Sequence, residues 1–490
     1  MSNKEHCHSD DVTSVFVDLP DTAVGSVIKI DGKCYMKTGI EGPIDTQTSS
    51  ITARGDNCGD CFGISVPTAM TMSTCLHQII PGGVHNWDGP GSYGLCVSDD
   101  GDVVTLSHQW RNGSYSYKVG GTWVFRKQTD GTWSYVQDIS PGGTGAPAYW
   151  HTMSGDGKVI ATGTLRIPGT ATSTINVYRH NDTTQLYEQI GTTMTLLTAP
   201  SNMQLSSDGR IIAISHNRSD SFGRRWTFKK LSHDWDDPNA DWVEHAPDIV
   251  GDSAGHPDLG QFNLYSYHGS MNSTGDMMLI HVMYGVADGT GWGTSKYDYG
   301  AMVMKLDTQT NTWIKCGIVS SSLDTKITGS GNVDGKNLLA VSDDFMTVAV
   351  EDTAHPDGRI VIYQTDQQPN PNSVWTQTGD IVATVPYESL GANIRLSSDG
   401  TCLLASAPGT NYTPHWPGDS HGSVRMYKQD STTGAWTLKY TVDKDTGPSP
   451  TVSNRTWGFG YNVTITKDFT TLITGYDKHA CVYDTQSNLS

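Results

Sequence analysis

The sequence predicts an all-β protein in which seven four-stranded antiparallel sheets form a closed ring, a seven-bladed β-propeller. Three observations indicate this fold. A turn phrase of the type Ser-x-Asp-Gly, flanked by two apolar runs, recurs with a period of about 50 residues, which is typical of repeat folds. A third apolar strand and an aromatic residue follow most copies of the phrase. The last unit is one strand short, and a segment that could complete it precedes the first unit.

The turn phrase predicts a β-hairpin. Its copies have the following residues at the glycine position: Gly101, Gly157, Gly209, Gly275, Phe345, Gly400 and Phe469. Asp-Gly between alternating apolar runs favours a type I′ turn, because both residues tolerate positive φ. Each copy therefore supplies two strands of one blade.

Two further strands complete each unit. The third strand reads as an apolar run such as Ile175–Tyr178 or Val424–Tyr427. The fourth opens on an aromatic residue after a turn-forming pair, at Trp133, Tyr187, Trp242, Trp313, Trp375 and Trp436. Four antiparallel strands repeated around a ring make the blades of a β-propeller.

The ring is predicted to close through a strand from the N-terminal side. The seventh unit has no fourth strand after Tyr483, whereas Cys75–Ile80 resembles the outer-strand segment Trp133–Ile139. We expect a strand at about residues 75–80 to pair into the last blade, which removes two exposed sheet edges. The predicted domains are a small cysteine-containing β module at 1–71, with a docking role, and the propeller at 72–490.

The N-terminal module carries a predicted hairpin around Asp31-Gly32 and a cluster of cysteines, Cys34, Cys58 and Cys61. Their spacing is compatible with three zinc ligands, with Cys7, His6 or His8 as the fourth. A disulfide from Cys34 to Cys58 or Cys61 is the second interpretation, and free thiols are the third.

Composition excludes some partners. The formal net charge is −19 with 32 Lys and Arg residues, which argues against nucleic-acid binding because phosphate contacts need clustered cations. No apolar run is long enough for a membrane span, and no cleavable secretion signal is readable, so neither is expected. The cysteines on predicted strands are expected to be buried core residues: Cys75, Cys96, Cys316, Cys402 and Cys481.

No catalytic motif is present. The sequence lacks a Gly-x-Ser-x-Gly elbow between a strand and a helix, a His-Glu-x-x-His pair and a phosphate-binding glycine loop. We therefore expect no catalytic residues. A pair of carboxylates for glycosidic cleavage leaves no spacing signature, so a carbohydrate-active enzyme at the central channel stays an alternative.

Aromatic residues in or beside predicted loops are the candidate ligand-binding residues. Exposed aromatic rings stack on sugar faces or anchor protein interfaces. The candidates are Trp87, Tyr149, Trp150, Tyr265, Tyr267, Trp292, Tyr412, Trp416 and Trp457.

The repeat resembles a known family. Leu396–Pro408, with His421–Tyr427 and Ala435-Trp436, is similar to the FG-GAP-type propeller repeat of many bacterial, algal and viral surface proteins. The family's calcium loops carry an Asp-x-Asp-x-Asp-Gly-like run. The nearest segments, Asp443–Gly447 and Asp234–Asp237, depart from that spacing, so calcium is not expected.

The N-terminal pattern around Gly32–Tyr35 and Asn57–Cys61 resembles small modules in virion proteins of tailed phages and large marine DNA viruses. This resemblance implies a non-enzymatic virion structural and attachment protein in multiple copies, at the virion surface or extracellular. Its N-terminal module would bind other virion proteins. Its propeller loops would bind a host glycan, a host surface protein or a neighbouring subunit. A non-viral extracellular adhesion propeller is the alternative, favoured by eight Asn-x-Ser/Thr sequons.

Overall fold

The computed structural model describes residues 27–30, 33–36, 71–76, 94–111, 118–140, 148–164, 172–217, 224–250, 252–256, 260–262, 269–284, 298–320, 338–352, 355, 357–384, 388–408, 422–443, 460, 462–476 and 479–485. The chain divides into two compact units, Met1–Thr68 and Ala69–Ser490. In the first unit, β1 (Val27–Ile30) and β2 (Lys33–Met36) form the hairpin predicted around Asp31-Gly32. The described residues include no helix that is long and apolar enough to cross a membrane.

The second unit is a β-propeller of seven four-stranded antiparallel blades, as predicted. Its first described strand is β3 (Thr71–Leu76). Blade 1 consists of β4 (Leu95–Val97), β5 (Val103–Arg111), β6 (Lys118–Lys127) and β7 (Trp133–Ile139). Blade 2 consists of β8 (Ala148–Met153), β9 (Val159–Thr164), β10 (Ser173–Asn181) and β11 (Leu186–Leu196). Blade 3 consists of β12 (Pro200–Leu205), β13 (Ile211–Asn217), β14 (Arg224–Leu231) and β15 (Trp242–Val250).

A two-stranded hairpin, β16 (Asp252–His256) and β17 (Gly260–Phe262), follows blade 3. Blade 4 consists of β18 (Gly269–Met271), β19 (Met277–Tyr284), β20 (Asp298–Asp307) and β21 (Thr312–Ser320). Blade 5 consists of β22 (Leu339–Val341), β23 (Thr347–Glu351), β24 (Arg359–Gln364) and β25 (Thr376–Val382). Blade 6 consists of β26 (Ile394–Leu396), β27 (Cys402–Ala407), β28 (Ser423–Gln429) and β29 (Trp436–Asp443). Blade 7 consists of β30 (Val463–Ile465), β31 (Thr471–Tyr476), β32 (His479–Asp484) and β3.

The ring closes through β3, which pairs antiparallel with β32 as the outer strand of blade 7. The predicted closure is confirmed, but the strand spans Thr71–Leu76 and not about 75–80. An outer strand is held mainly by backbone hydrogen bonds to one neighbour, so its side-chain pattern is a weak guide to its register. This explains the shift of four residues toward the N-terminus.

The Ser-x-Asp-Gly phrases form longer hairpin loops than the predicted type I′ turn. In blade 1 the N–H of Gly101 donates to the carbonyl of Ser98 at 3.0 Å, and the N–H of Ser98 donates to the carbonyl of Val103 at 2.9 Å. Gly101 has φ +73°, and none of the aspartates in the phrases has positive φ. The backbone is therefore a type I turn followed by one left-handed residue. Ser98 stabilises it, since its Oγ accepts a hydrogen bond from the N–H of Val103 at 2.9 Å.

Two copies place phenylalanine in the left-handed position. Phe345 and Phe469 have φ values of +60° and +61°, a conformation that is unfavourable for a bulky residue. Both rings are almost fully buried between blades. Burial of a large apolar side chain contributes about 2 kcal/mol or more, which offsets the backbone strain.

The hydrophobic core lies between the blades. Each pair of neighbouring blades shares one cluster of buried apolar residues. Between the last and first blades, Ile473 and Val482 pack with Val104 and Trp123. The junction at which the ring closes therefore has the same kind of core as the other junctions.

The aromatic residues that open the outer strands connect consecutive blades. The indole Nε1 of Trp313 donates to the carbonyl of Pro247 at 2.9 Å, and that of Trp375 donates to the carbonyl of Cys316 at 3.1 Å. In both cases the acceptor belongs to the outer strand of the preceding blade. About one aromatic side chain per blade is thus committed to packing.

Candidate functional site

The innermost strands β4, β8, β12, β18, β22, β26 and β30 surround a central channel of about 300 Å³. Its wall includes the residue two positions before each turn phrase: Cys96, Thr152, Gln204, Ser270, Ala340, Arg395 and Thr464. Arg395 is the one charged member of this set. The channel is therefore largely neutral and polar along its wall.

One end of the channel is formed by the turn phrases, which are hydrogen-bonded to one another. The N–H of Asp99 donates to the carbonyl of Gly155 at 2.7 Å, and the N–H of Gly155 donates to the carbonyl of Ser207 at 3.0 Å. Ser398 continues the same pattern between blades 5 and 7, since its carbonyl accepts from Asp343 and its N–H donates to Lys467. The second residue of each turn phrase therefore lies in a ring at this end, with hydrogen-bonded runs from Asp99 to Ser273 and from Asp343 to Lys467.

Three charged groups converge on that ring. The Nζ of Lys467 lies 3.5 Å from Oδ2 of Asp99 and 3.3 Å from Oδ1 of Asp343. Partial burial raises the pKa of Asp99, while the charge of Lys467 acts in the opposite direction. Sequence reasoning did not single out these residues. Aligning the repeat copies by their turns places all three at the same position of the repeat, which is the signal that could have found them.

Cys96 is the thiol in the channel wall. Burial raises its pKa to about 11, although a hydrogen bond with Thr105 and the charge of Arg395 favour the thiolate. The reactive form of cysteine is the thiolate. Cys96 is therefore protonated near neutral pH and is a poor nucleophile.

His151 is the imidazole of the channel wall. It packs against Gly94, where a Cβ atom would lie 2.7 Å from Cε1 and Nδ1 of the ring. Burial lowers the pKa of His151 to about 4. The ring is therefore neutral at pH 7 and far from the pKa near 7 that suits acid–base catalysis at this pH.

Arg395 donates from Nη1 to the carbonyl of Ile394 at 3.0 Å. Burial lowers its pKa from the ordinary arginine value. Together with Cys96 and His151, it accounts for the titratable groups in the wall above the turn ring. These three groups are not arranged as a nucleophile with its base, because Sγ of Cys96 donates to the backbone carbonyl of His151, with 3.9 Å between sulfur and oxygen, and not to the imidazole.

The predicted cysteine site is mostly outside the described residues. Cys34 lies in β2, opposite Lys29, and Cys58 and Cys61 are not described. The described residues contain no group of three or more potential metal ligands. Of the cysteines expected in the core, Cys316 and Cys402 are buried free thiols and Cys96 is half-buried.

Trp150 is the one predicted ligand-binding aromatic whose side chain is described. It is partly buried, packs against the core between blades 2 and 3, and lines the channel. Tyr149 lies in β8 as well, but its side chain is outside the described residues. The remaining candidates also fall outside them: Trp87, Tyr265, Tyr267, Trp292, Tyr412, Trp416 and Trp457.

The antiparallel topology gives the propeller two different faces. At the turn face, the connections from first to second strand and from third to fourth strand lie wholly within the described residues, as in 98–102 and 128–132. At the opposite loop face, strand ends are joined by the longest connections of the propeller, such as 285–297, 321–338 and 444–462. Every candidate aromatic residue lies in a segment that begins or ends at the loop face, or within the first three residues of β8.

Comparison of the sequence with protein-family models and with curated proteins gives no match. Among solved structures, the chain is similar to the Pseudomonas aeruginosa periplasmic gluconolactonase, with 12% identity, 79% of this chain and 92% of that chain covered, and a TM-score of 0.47. It is also similar to the β-propeller domain of Myceliophteria thermophila Cps50 (Swd1), with 9% identity, coverage of 82% and 100%, and a TM-score of 0.48. Kuenenia stuttgartiensis hydrazine synthase gives 11% identity, coverage of 83% and 99%, and a TM-score of 0.47. At such low identity the likeness concerns the fold alone, and membership of the FG-GAP family stays a prediction.

Proposed function

We propose that this protein is a non-enzymatic binding propeller that presents its loop face to a glycan. The observation that carries the proposal is the difference between the two faces. The turn-face connections are hydrogen-bonded loops of at most 11 residues, whereas the longest connections of the propeller all join strand ends at the loop face. Seven of the nine candidate aromatic residues lie in segments that begin or end at that face. Function in repeat propellers is placed on such variable connections by a rigid scaffold.

The chemistry of the channel supports a binding role over a catalytic one. Cys96 is protonated, His151 is neutral, and the charges of Lys467, Asp99 and Asp343 are used between blades. A catalytic site usually contains groups whose pKa values are shifted toward the working pH. In the channel, burial shifts the pKa values of Cys96 and His151 away from neutral pH.

Trp150 indicates how the loop face and the channel meet. It lies in the half of β8 that starts at the loop face, and its partly exposed ring lines the channel. An aromatic ring at such a mouth provides a flat apolar surface on which a sugar ring can stack. The remaining candidate aromatic residues would extend this surface along the loop face.

We place this activity at the surface of a virus particle, with the N-terminal module as the docking element. The support is the sequence pattern around Cys34, Cys58 and Cys61. Weak sites of this kind gain strength when several copies act together. Mass spectrometry of purified particles tests the setting, since a structural protein is present there in stoichiometric amounts.

The binding proposal is tested with the full chain on an array of neutral, sialylated and sulfated oligosaccharides. We expect selective binding that falls by about tenfold or more in Trp150→Ala, Trp292→Ala and Trp416→Ala. Leu186→Ala is the matched control, because Leu186 is an exposed apolar residue beside a turn-face connection. Its binding should be unchanged.

Two results would count against the proposal. Release of reducing sugar from a bound oligosaccharide would establish an enzyme. An array without any binding, or binding that none of the three tryptophan variants weakens, would remove the loop face as a glycan site. Added hexose on the intact protein would favour the extracellular adhesion alternative over the viral setting.

A further inference from the structure

The strand that closes the ring places two cysteines directly opposite each other. In the antiparallel pairing of β3 with β32, Cys75 is the register partner of Cys481. One strand comes from the start of the propeller sequence and the other from its end. We infer that Cys75 and Cys481 form a disulfide that covalently closes the propeller.

The backbone geometry suits this bond. Directly opposite residues in an antiparallel pair have Cα atoms about 4.5–5.5 Å apart. Disulfides bridge Cα atoms about 4.4–6.8 Å apart. The register shift in this strand pair lies between Met72 and Thr74, so the pairing from Thr74 to Leu76 is regular through Cys75.

The other cysteines on described strands have different register partners. Cys34 is opposite Lys29, Cys96 is opposite Thr105, and Cys402 is opposite Lys428. Cys316 lies at the register shift between β20 and β21 and has no register partner there. Within the described strands, the juxtaposition of two cysteines is thus confined to the ring closure.

A disulfide at this place would hold the outer strand of blade 7 in the sheet. β3 is an outer strand, and its strand partner in the sheet is β32. Losing this pairing would leave blade 7 with three strands and expose an edge to other chains. A covalent link between Cys75 and Cys481 keeps β3 in place even when its hydrogen bonds open.

Formation of the bond requires an oxidant, and a small-molecule disulfide supplies it. The thiolate of one cysteine attacks a sulfur of the small disulfide and releases one thiol. The thiolate of the second cysteine then attacks the first cysteine's sulfur in the mixed disulfide and releases the second thiol. The two protons lost by the protein thiols are carried by the two released thiols, and the protein is oxidised by two electrons.

The test uses the full chain, purified under reducing conditions and then equilibrated with oxidised glutathione or with dithiothreitol. Remaining thiols are blocked with N-ethylmaleimide, and the digest is analysed by mass spectrometry. We expect a Cys75–Cys481 linked peptide in the oxidised sample and its loss after reduction. We also expect the midpoint of thermal unfolding to rise on the order of 5 °C on oxidation.

Cys75→Ser and Cys481→Ser should each abolish both the linked peptide and the oxidation-dependent rise. Cys96→Ser is the matched control, since Cys96 also lies on a strand but opposite Thr105, and it should keep both. Peptide mapping of the unaltered chain does not depend on any variant folding. Alkylation of both cysteines in the oxidised sample, or a bond from Cys75 to Cys34, Cys58 or Cys61, would overturn the inference.

Discussion

The indole of Trp242 lies against Gly191, and the two residues belong to neighbouring blades. Nε1 of Trp242 donates to the carbonyl of Ile190 at 3.3 Å, and a Cβ atom on Gly191 would lie 2.9 Å from Cδ1 of the indole. The close approach of an outer-strand glycine to the next indole recurs between Gly317 and Trp375 and between Gly379 and Trp436. An outer-strand glycine therefore makes room for the aromatic residue of the next blade.

Gly191→Ala is expected to lower the free energy of unfolding by about 2–3 kcal/mol, because it combines backbone strain with overpacking against Trp242. Gly434→Ala is the matched control. Gly434 has a similar left-handed φ, +72° against +67°, but nothing lies within 4 Å of its added Cβ. Gly434→Ala should lower the free energy of unfolding by only about 1 kcal/mol. Urea unfolding measures both, and equal losses would show that the indole contact has no steric role.

Ser397→Ala is expected to destabilise blade 6 by about 1–2 kcal/mol. The buried Oγ of Ser397 accepts from the N–H of Cys402 at 2.9 Å and donates to Oδ1 of Asp399 at 2.6 Å. The neighbouring Ser398 is more exposed and donates to Oδ2 of Asp343 at 2.9 Å, so Ser398→Ala should cost less. Chemical denaturation of the two variants measures which one loses more stability. A larger loss in Ser398→Ala would show that the first serine of the turn phrase does not stabilise the loop.

Glu388 and Arg425 form a buried ion pair within the propeller. The side chain of Glu388 is 0% exposed and that of Arg425 11%. Glu388→Gln should lower the free energy of unfolding by about 3 kcal/mol or more, because it leaves the buried guanidinium of Arg425 without its counter-charge. Asp236→Asn is the control, since Asp236 is 97% exposed in its pair with Arg179, and it should change stability by less than about 1 kcal/mol.

A double variant, Glu388→Gln with Arg425→Met, distinguishes charge pairing from packing. We expect it to be more stable than the sum of the two single losses predicts, since both charges are then gone. Additive losses in the cycle would show that the pair is not coupled. The measurement is the free energy of unfolding in urea at constant pH.

The protein is expected to lose stability as pH falls below about 6.5. Burial lowers the pKa of both His151 and His281 to about 4, whereas an unfolded histidine titrates near 6.5. The unfolded state therefore binds more protons between these values, and stability is complete above the unfolded pKa and is lost progressively toward pH 4. Between pH 7.5 and 5.0 each of the two histidines should lower the free energy of unfolding by about 2 kcal/mol.

The variant His151→Gln with His281→Gln isolates this contribution. Its free energy of unfolding should be lower than that of the unaltered chain at pH 7.5, because packing is disturbed, but should fall less steeply on acidification. Urea midpoints at several pH values measure the two slopes. Identical slopes would show that neither histidine is held neutral by burial.

Much of the fold could be predicted because its repeats are local. The turn phrase, the apolar strands and the aromatic residue opening each outer strand lie within one unit of sequence, and each reports a local physical preference. The charged cluster at the turn end of the channel was harder to predict from the sequence. Lys467, Asp99 and Asp343 are far apart in the chain and meet because the ring brings the same turn position of three blades together.

The sequence by itself determined the number of blades, the strand order within them and the need for an N-terminal strand to close the ring, because hairpin periodicity and sheet pairing are encoded at short range. The tertiary structure decided the register of β3, the loop conformation that Ser98 stabilises, and the pKa values of Cys96 and His151. These depend on burial and on contacts between blades, which a linear pattern does not contain. The same holds for the position of Cys75 opposite Cys481.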